Sequence, residues 1–178
     1  MRQEIRICGF GGQGVITAAV ILGKAAAVYD GKIACQTQSY GPEARGGAAS
    51  AMVVIDDEPI GYPGVHAADI LVAMSQEAFT RYGREVNPDS IIIIDPDTVF
   101  SWDIPHVVHP VRSTKIAEEL GNVVVANIVM LGALTALSGV VSHEAILAAT
   151  LASVPARFKE LNRSALEAGI AAGLGDAS

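Results

Sequence analysis

Residues 4–28, EIRICGFGGQGVITAAVILGKAAAV, have the pattern of a strand, a glycine-rich turn and a helix. The apolar run Glu4–Cys8 predicts a short strand, and the alanine-rich stretch Val15–Val28 repeats its apolar residues at helical spacing. A turn is then predicted at Asp30-Gly31, followed by a second strand over Lys32–Thr37. A strand, a helix and a strand in this order predict a βαβ unit with parallel strands and a right-handed crossover.

The remaining sequence extends this pattern into a larger sheet. The run Ile91–Ile94 is continuous and β-branched, which is typical of a strand covered by helices on both faces. We therefore expect one α/β domain over residues 1–178, with three α/β/α layers, a Rossmann-like, mostly parallel open sheet and a helical C-terminal part. The other predicted elements are strands at Ala48–Ile55, Asp69–Met74 and His106–Val111, a short return strand from Ile60, a turn at Asn87-Pro88-Asp89, helices over 76–82, 114–121, 128–137, 143–152 and 155–174, and N-caps at Ser75, Ser113 and Ser142.

Composition and charge exclude several classes of protein. The formal net charge is −7, so the chain lacks the basic surface that binds nucleic acid or an anionic membrane. Val123–Val141 carries no charge, but polar residues and glycines interrupt it, which favours a buried or interface helix over a transmembrane one. The only two cysteines, Cys8 and Cys35, indicate small buried side chains in a reduced, cytoplasmic protein, and two cysteines are too few for a cubane cluster.

The glycine turn Gly9-x-Gly11-x-x-Gly14 is the strongest local motif. It lies between a strand and a helix, where backbone N–H groups and the helix dipole favour a phosphate. A dinucleotide site would place an acidic residue at the end of the second strand, but Gln36-Thr37-Gln38 stands there, and Asp30 lies before that strand. Three interpretations remain open: a turn that serves packing alone, a contact with a phosphate-bearing ligand, and a contact with a partner subunit.

Other candidate chemistry is weak. His106 and His109 are three residues apart in an extended segment, which places them on opposite faces and makes a poor metal site. Asp95 and Asp97 follow the isoleucine run and are better explained as turn residues at a strand end than as an acid–base pair.

Two motifs together resemble a known family. The turn Gly9-Phe10-Gly11-Gly12-Gln13-Gly14-Val15 resembles the start of the gamma subunit of 2-oxoacid:ferredoxin oxidoreductases, and Ser39-Tyr40-Gly41-Pro42-Glu43-Ala44-Arg45-Gly46-Gly47 resembles that family's second signature. The likeness covers nearly the whole chain and extends to Asp57-Glu58-Pro59-Ile60 and to the helix at Asn127–Gly132.

The resemblance implies an accessory gamma subunit that is inactive when isolated. The complex would decarboxylate a 2-oxoacid with coenzyme A as co-substrate, giving acyl-CoA, CO2 and reduced ferredoxin. This chain is expected to carry no cofactor. Its expected partners are alpha and beta subunits, which bind thiamine, and a ferredoxin-like delta subunit. These partner subunits are expected to carry thiamine diphosphate, Mg²⁺ and iron–sulfur clusters. The implied cofactor-binding residues are Gly9, Gly11, Gly12, Gln13 and Gly14, and the implied substrate or coenzyme A region comprises Tyr40, Gly41, Glu43, Arg45, Gly46 and Gly47.

The free-standing chain is most similar to the 2-oxoglutarate branch, while pyruvate, branched-chain 2-oxoacid and indolepyruvate enzymes remain alternatives. An independent dinucleotide-binding oxidoreductase and a stand-alone structural or ligand-sensing module are alternatives from other classes. Arg45 is the side chain most suited to grip a carboxylate or phosphate, and an ion pair with Glu43 or a partner subunit is its structural alternative.

Overall fold

One six-stranded sheet organises the chain in the computed structural model, which describes residues 1–39 and 47–175. The strand order is β2-β3-β1-β4-β5-β6. The strands are β1 Gln3–Phe10, β2 Ile33–Ser39, β3 Ala48–Asp56, β4 Ala68–Ala73, β5 Val86–Ile94 and β6 Val108–Pro110.

The sheet is mostly parallel, as predicted. β1, β4, β5 and β6 pair in parallel, and β3 runs antiparallel to both of its neighbours, β1 and β2. The expected βαβ unit is therefore correct in strand direction, but β1 and β2 are not adjacent, because β3 returns between them. We call the side where β1, β2, β4 and β5 end the carboxyl edge, and the opposite side the amino edge.

Helices cover both faces of the sheet, which confirms the three-layer prediction. One face is covered by α2, whose Ala78 and Phe79 pack with Leu71 and Ile92. The other face is covered by the remaining helices over a larger core that includes Ile5 and Ile7. The helices are α1 Val15–Lys24, α2 Gln76–Tyr82, α3 Ser113–Glu119, α4 Ala126–Ser138, α5 His143–Ser153 and α6 Lys159–Gly173; α1 continues as a π-helical turn, Ala25–Tyr29, and 3-10 turns occupy Val123–Val125 and Ala156–Phe158.

Local capping was predicted correctly at two helices and wrongly at one. Ser75 and Ser142 each accept a hydrogen bond from the backbone N–H three residues on, as N-caps do. Ser113 is instead the first residue of α3, and its hydroxyl donates to Asp95, at 2.6 Å. The buried Asp95 carboxylate takes the capping role, because it also accepts from the backbone N–H of Thr114, at 2.7 Å.

The start of β5 also differs from the prediction. The turn expected at Asn87-Pro88-Asp89 is extended strand, and the pairing with β4 shifts between Ala68 and Ile70. The Asn87 side chain stabilises this irregular start by donating to Ala67 O and to the Asp69 carboxylate. The return strand expected from Ile60 does not form; this described segment is irregular.

The uncharged segment near the C-terminal part is a core helix. Residues 126–135 of α4 are all buried, so of the two alternatives, a buried or an interface helix, this stretch is a buried one; Val123 and Val124 just before it are exposed. A Cβ built on Gly132 would lie 2.2 Å from Leu166 O, and one on Gly169 would lie 1.9 Å from Val129 O. Only glycine at these two positions lets the backbones of α4 and α6 touch. The apolar face of α4 is therefore covered by α6 of the same chain. In residues 1–39 and 47–175, no helix has the length and apolar character needed to cross a membrane.

The beginning of β1 lies at the amino edge. The Met1 ammonium group pairs with the carboxylates of Asp57 and Asp56. Met1 and Asp56 share a cleft with Ser138 and Gly139, where α4 ends. Since α4 begins beside Gly14 and ends here, it spans the sheet from the carboxyl edge to the amino edge.

Candidate functional site

The glycine turn closes β1 at the carboxyl edge, and three of its glycines are needed for different reasons. A Cβ on Gly9 would lie 2.5 Å from the Gln13 side chain, and a Cβ on Gly14 would lie 2.5 Å from Asn127 Nδ2. Gly14 (φ 74°) and Gly12 (φ 95°) have the left-handed conformation that favours glycine. Gly12 differs because the space around its Cα is open, and Gly11 beside it is exposed.

Gln13 serves the turn itself. Its Oε1 accepts from Phe10 N, at 2.6 Å, and its Nε2 donates to Met74 O, at 2.8 Å. Both ends of the amide are used, and they join the end of β1 to the end of β4. We therefore expect Gln13 to fix the shape of the site rather than to bind a ligand through its side chain.

The N-terminus of α1 points out of this turn. Gly14 is the N-cap and offers no side chain to the free N–H groups of the first helical turn. These N–H groups and the helix dipole favour an anion such as a phosphate or carboxylate.

A cavity of about 370 Å³ opens beside the turn. The side chains of the described residues that line it carry no charge. These residues bring together three helical starts: α1, the 3-10 turn that leads into α4, and the 3-10 turn that leads into α6. The lining residues are Gly12, Gly14, Thr17, Ile21, Asn122, Val124, Val125, Asn127, Ile128, Val154, Pro155, Phe158, Leu161 and Asn162.

Two buried asparagines give this mostly apolar cavity its polar character. Asn127 Nδ2 donates to Gly14 O, and Asn162 Nδ2 donates to Phe158 O, at 3.1 and 2.9 Å. Each side chain is 6% exposed, and neither Oδ1 receives a hydrogen bond from the described part of the chain. The cavity therefore suits a ligand with an apolar body and N–H donors, with an anionic group near α1.

The second sequence motif leaves the sheet at the same edge. Ser50 of β3 pairs with Ser39 of β2 on one side and with Cys8 of β1 on the other. Gly47 immediately precedes Ala48, which pairs with Phe10. The ends of this motif therefore lie within two strand spacings of the glycine turn, roughly 10 Å. Tyr40, Gly41, Glu43, Arg45 and Gly46 lie outside the described residues.

The dinucleotide interpretation does not fit this geometry. β3 separates β2 from the glycine turn, whereas a dinucleotide site needs the end of the second strand directly beside it. Gln36-Thr37-Gln38 supplies no carboxylate there. Asp30 is a capping residue, since its carboxylate accepts from the backbone N–H and the hydroxyl of Ser142, both at 2.7 Å.

The other candidate groups are structural. The Asp97 carboxylate accepts a hydrogen bond from the Arg112 guanidinium, and the backbone N–H of Asp97 donates to the Asp95 carboxylate. Both aspartates therefore stabilise the turn after β5, as predicted. Burial raises the pKa of the Cys8 thiol to about 12, which keeps it protonated and unreactive. Across residues 1–39 and 47–175, no three His, Cys, Asp or Glu side chains cluster in a way that could hold a metal ion.

The cavity residues were missed from sequence. Asn127 and Asn162 are 113 and 148 positions from Gly14, so no spacing rule connects them to the turn. The available signal was local: each is an uncharged polar residue on the buried face of its helix.

Known proteins with similar sequences and structures agree with this fold. A family model described as pyruvate ferredoxin/flavodoxin oxidoreductase matches residues 4–172. The 2-oxoglutarate synthase subunit KorC of Methanocaldococcus jannaschii is 51% identical over 173 residues, covering 95% of this chain and 92% of the relative. The ketoisovalerate oxidoreductase subunit VorA of Methanothermobacter thermautotrophicus is 38% identical over 135 residues, which are 75% of this chain but only 28% of VorA.

A crystal structure gives the same result. The gamma subunit of a keto/oxoacid ferredoxin oxidoreductase from Geobacter sulfurreducens PCA superposes with a TM-score of 0.89 at 42% identity, covering 97% of this chain and 99% of that one. The resemblance drawn from the glycine turn and the second motif is confirmed, and the chain belongs to the pyruvate ferredoxin/flavodoxin oxidoreductase family.

Proposed function

We propose that this chain is the gamma subunit of a 2-oxoglutarate synthase, a complex that converts 2-oxoglutarate and coenzyme A to an acyl-CoA and CO2 while it reduces ferredoxin. The observation that carries the proposal is the 51% identity with KorC, which extends over 92% of that subunit. The lower identity of 38% with the ketoisovalerate subunit VorA favours 2-oxoglutarate over a branched-chain 2-oxoacid.

The proposed role is accessory. Residues 1–178 would act as one gamma-type domain in the cytoplasm, alongside alpha and beta subunits that bind thiamine diphosphate and Mg²⁺ and a ferredoxin-like delta subunit that carries iron–sulfur clusters. The described residues that line the cavity offer hydrogen bonds and apolar surface, which suits the binding of a ligand.

The carboxyl edge is the proposed contact region for coenzyme A. The N-terminus of α1 provides N–H donors for a phosphate, and Asn127 and Asn162 provide acceptors for the amide N–H groups of the pantetheine arm. In this proposal Gly9, Gly11, Gly12, Gln13 and Gly14 form the cofactor-binding turn, and Tyr40, Gly41, Glu43, Arg45, Gly46 and Gly47 form the adjoining substrate or coenzyme A region.

Co-expression with candidate partner subunits tests the function. We expect the chain to co-purify in a stable complex that reduces ferredoxin with 2-oxoglutarate and coenzyme A. Pyruvate, 2-oxoisovalerate and indolepyruvate serve as matched substrates, and a higher kcat/KM with any of them would assign another branch. A complex that lacks every such activity, or a thermal shift of the isolated chain with NAD, would contradict the proposal.

Arg45 gives a residue-level test in the assembled complex. If its guanidinium holds a carboxylate or phosphate through two bonds, Arg45→Lys and Arg45→Ala should both raise the KM for 2-oxoglutarate or coenzyme A while the subunits stay together. Unchanged kinetics in intact complexes would exclude a ligand contact. Loss of assembly would assign Arg45 to an ion pair between subunits.

A further inference from the structure

An arginine lies at the rim of the cavity beside the glycine turn. Phe158, the last residue of the 3-10 turn that leads into α6, lines the cavity and is 37% exposed, so its ring forms part of the rim. The Arg157 guanidinium lies over this ring, with its central carbon 4.7 Å from the ring centroid. The cavity lining itself is uncharged in the described residues, so this guanidinium is a positive charge one ring away from it.

The turn that carries both residues is fixed by its own hydrogen bonds. The Phe158 N–H donates to Pro155 O, and Asn162 Nδ2 donates to Phe158 O, both at 2.9 Å. The Pro155 ring restricts the backbone where the turn begins. Asn162 is almost fully buried and lines the cavity, so it joins the turn to the cavity wall. A cation held in this way loses less conformational entropy when it binds an anion.

The N–H groups of Arg157 are available to a ligand. Within residues 1–39 and 47–175, the Arg157 side chain donates no hydrogen bond and pairs with no carboxylate. The Phe158 ring attracts the positive charge through its π face, and this attraction leaves the five N–H donors of the guanidinium unused. Such a guanidinium binds a phosphate through two parallel hydrogen bonds.

The size of the cavity indicates which phosphate can reach Arg157. Pockets for drug-sized ligands hold roughly 300–1,000 Å³, and this cavity of about 370 Å³ is at the lower end. Coenzyme A joins a long pantetheine arm to a nucleotide, so part of it must continue over the rim. In the proposed function the N-terminus of α1 takes one phosphate group of this ligand. Coenzyme A carries a further phosphate, at the 3′ position of its ribose, which a second positive group at the rim can bind.

We propose that Arg157 binds the 3′-phosphate of coenzyme A and makes the complex selective for coenzyme forms that carry this group. The Phe158 ring keeps the guanidinium at the rim, and Asn162 keeps the ring in place. This inference rests on the proposed function and adds a specificity-determining residue to it.

The test compares coenzyme A with dephospho-coenzyme A, which lacks only the 3′-phosphate. The assembled complex is assayed for ferredoxin reduction with 2-oxoglutarate and each coenzyme in turn. Arg157→Ala should raise the KM for coenzyme A about tenfold or more, because a hydrogen-bonded charge pair is lost. It should change the KM for dephospho-coenzyme A and for 2-oxoglutarate by less than about twofold. Arg157→Lys should give an intermediate KM for coenzyme A, because it keeps the charge but not the two parallel bonds.

Arg163→Ala is the matched control, because Arg163 pairs with Glu160 at 3.7 Å on the same helix and does not line the cavity. It should leave all three KM values unchanged. An unchanged KM for coenzyme A in Arg157→Ala would overturn the inference. So would an equal rise for both coenzymes, which would assign Arg157 to the diphosphate or to the shape of the turn, and so would loss of assembly, which would assign it to a contact between subunits. A wild-type complex without activity on 2-oxoglutarate and coenzyme A would refute the proposed function itself.

Discussion

Gly169→Ala should separate two helices that now touch through their backbones. A Cβ at this position of α6 would lie 1.9 Å from Val129 O and 2.7 Å from the adjacent carbonyl carbon, both on α4. Unstrained contacts of this kind are about 3.4 Å, so the helices would have to move apart by about 1.5 Å. Neither obstacle is a side chain that could rotate away.

The expected loss of stability follows from two opposing effects. Overpacking a well-filled core costs about 1–3 kcal/mol, and a backbone obstacle places this site at the upper end or above it. Alanine recovers about 1 kcal/mol through its higher helix propensity. We therefore expect a net loss of about 2–3 kcal/mol in the free energy of unfolding, or a fall in Tm of roughly 4–12 °C for a domain of this size.

Urea denaturation followed by circular dichroism measures this change. Gly61→Ala is the control, since Gly61 is not in the left-handed region and no atom lies within 4 Å of its added Cβ. It should change the free energy of unfolding by less than about 0.5 kcal/mol. If Gly169→Ala is equally harmless, α4 and α6 do not make this backbone contact and the account of the core helix is wrong.

Three further predictions concern the turn, the thiol and the buried aspartate. Gly12→Val should cost about 1–3 kcal/mol in thermal or urea unfolding, because a β-branched residue is strained at φ 95°, even though its side chain would meet open space; a wild-type stability would contradict this. Burial raises the pKa of Cys8 to about 12 from its usual value of 9.0, so its contribution to stability is complete below pH 9 and is lost as the pH rises from 9 toward 12. Cys8→Ala should flatten the urea stability profile in that window, and Cys8 of the native protein should not react with a thiol reagent. Asp95→Ala should lower the free energy of unfolding by about 3 kcal/mol or more, because the N–H groups of Asp97 and Thr114 and the hydroxyl of Ser113 lose their acceptor. A loss below about 1 kcal/mol would show that other acceptors replace the Asp95 carboxylate.

Local patterns predicted most of the elements. The run Ile91–Ile94 indicated a strand covered on both faces, and all four residues lie in β5 between the two helical layers. Ser75 and Ser142 were predicted as N-caps because the interaction spans only three residues. The position of β3 could not be predicted in the same way, because strand order depends on pairing between distant segments rather than on local propensity.

What the sequence left open and what it missed share one physical cause. Val123–Val141 is uncharged, and composition alone does not say whether the covering surface belongs to the same chain or to another one. The answer depends on Gly132 and Gly169, which let α6 approach closely. Asp95 was predicted as a turn residue, but its larger role needs Ser113 and Thr114, 18 and 19 positions away.

The candidate site was predicted in part for the same reason. The turn is local, and its strand, glycines and helix were found where the sequence indicated them. The cavity is assembled from three helical starts far apart in sequence, so Asn127 and Asn162 become partners only in the folded chain.

The position of Met1 at the amino edge has a consequence for engineering and for gene fusion. β1 is eight residues long, so the glycine turn lies about 27 Å from the beginning of the strand. A fluorescent protein or affinity tag joined ahead of Met1 would emerge on the far side of the sheet and leave the cavity accessible. A covalently joined neighbour that works at the glycine turn would need a connecting peptide of about eight extended residues or more to run the height of the sheet. The length of such a connecting peptide therefore decides whether a protein joined at this end can reach the glycine turn at all.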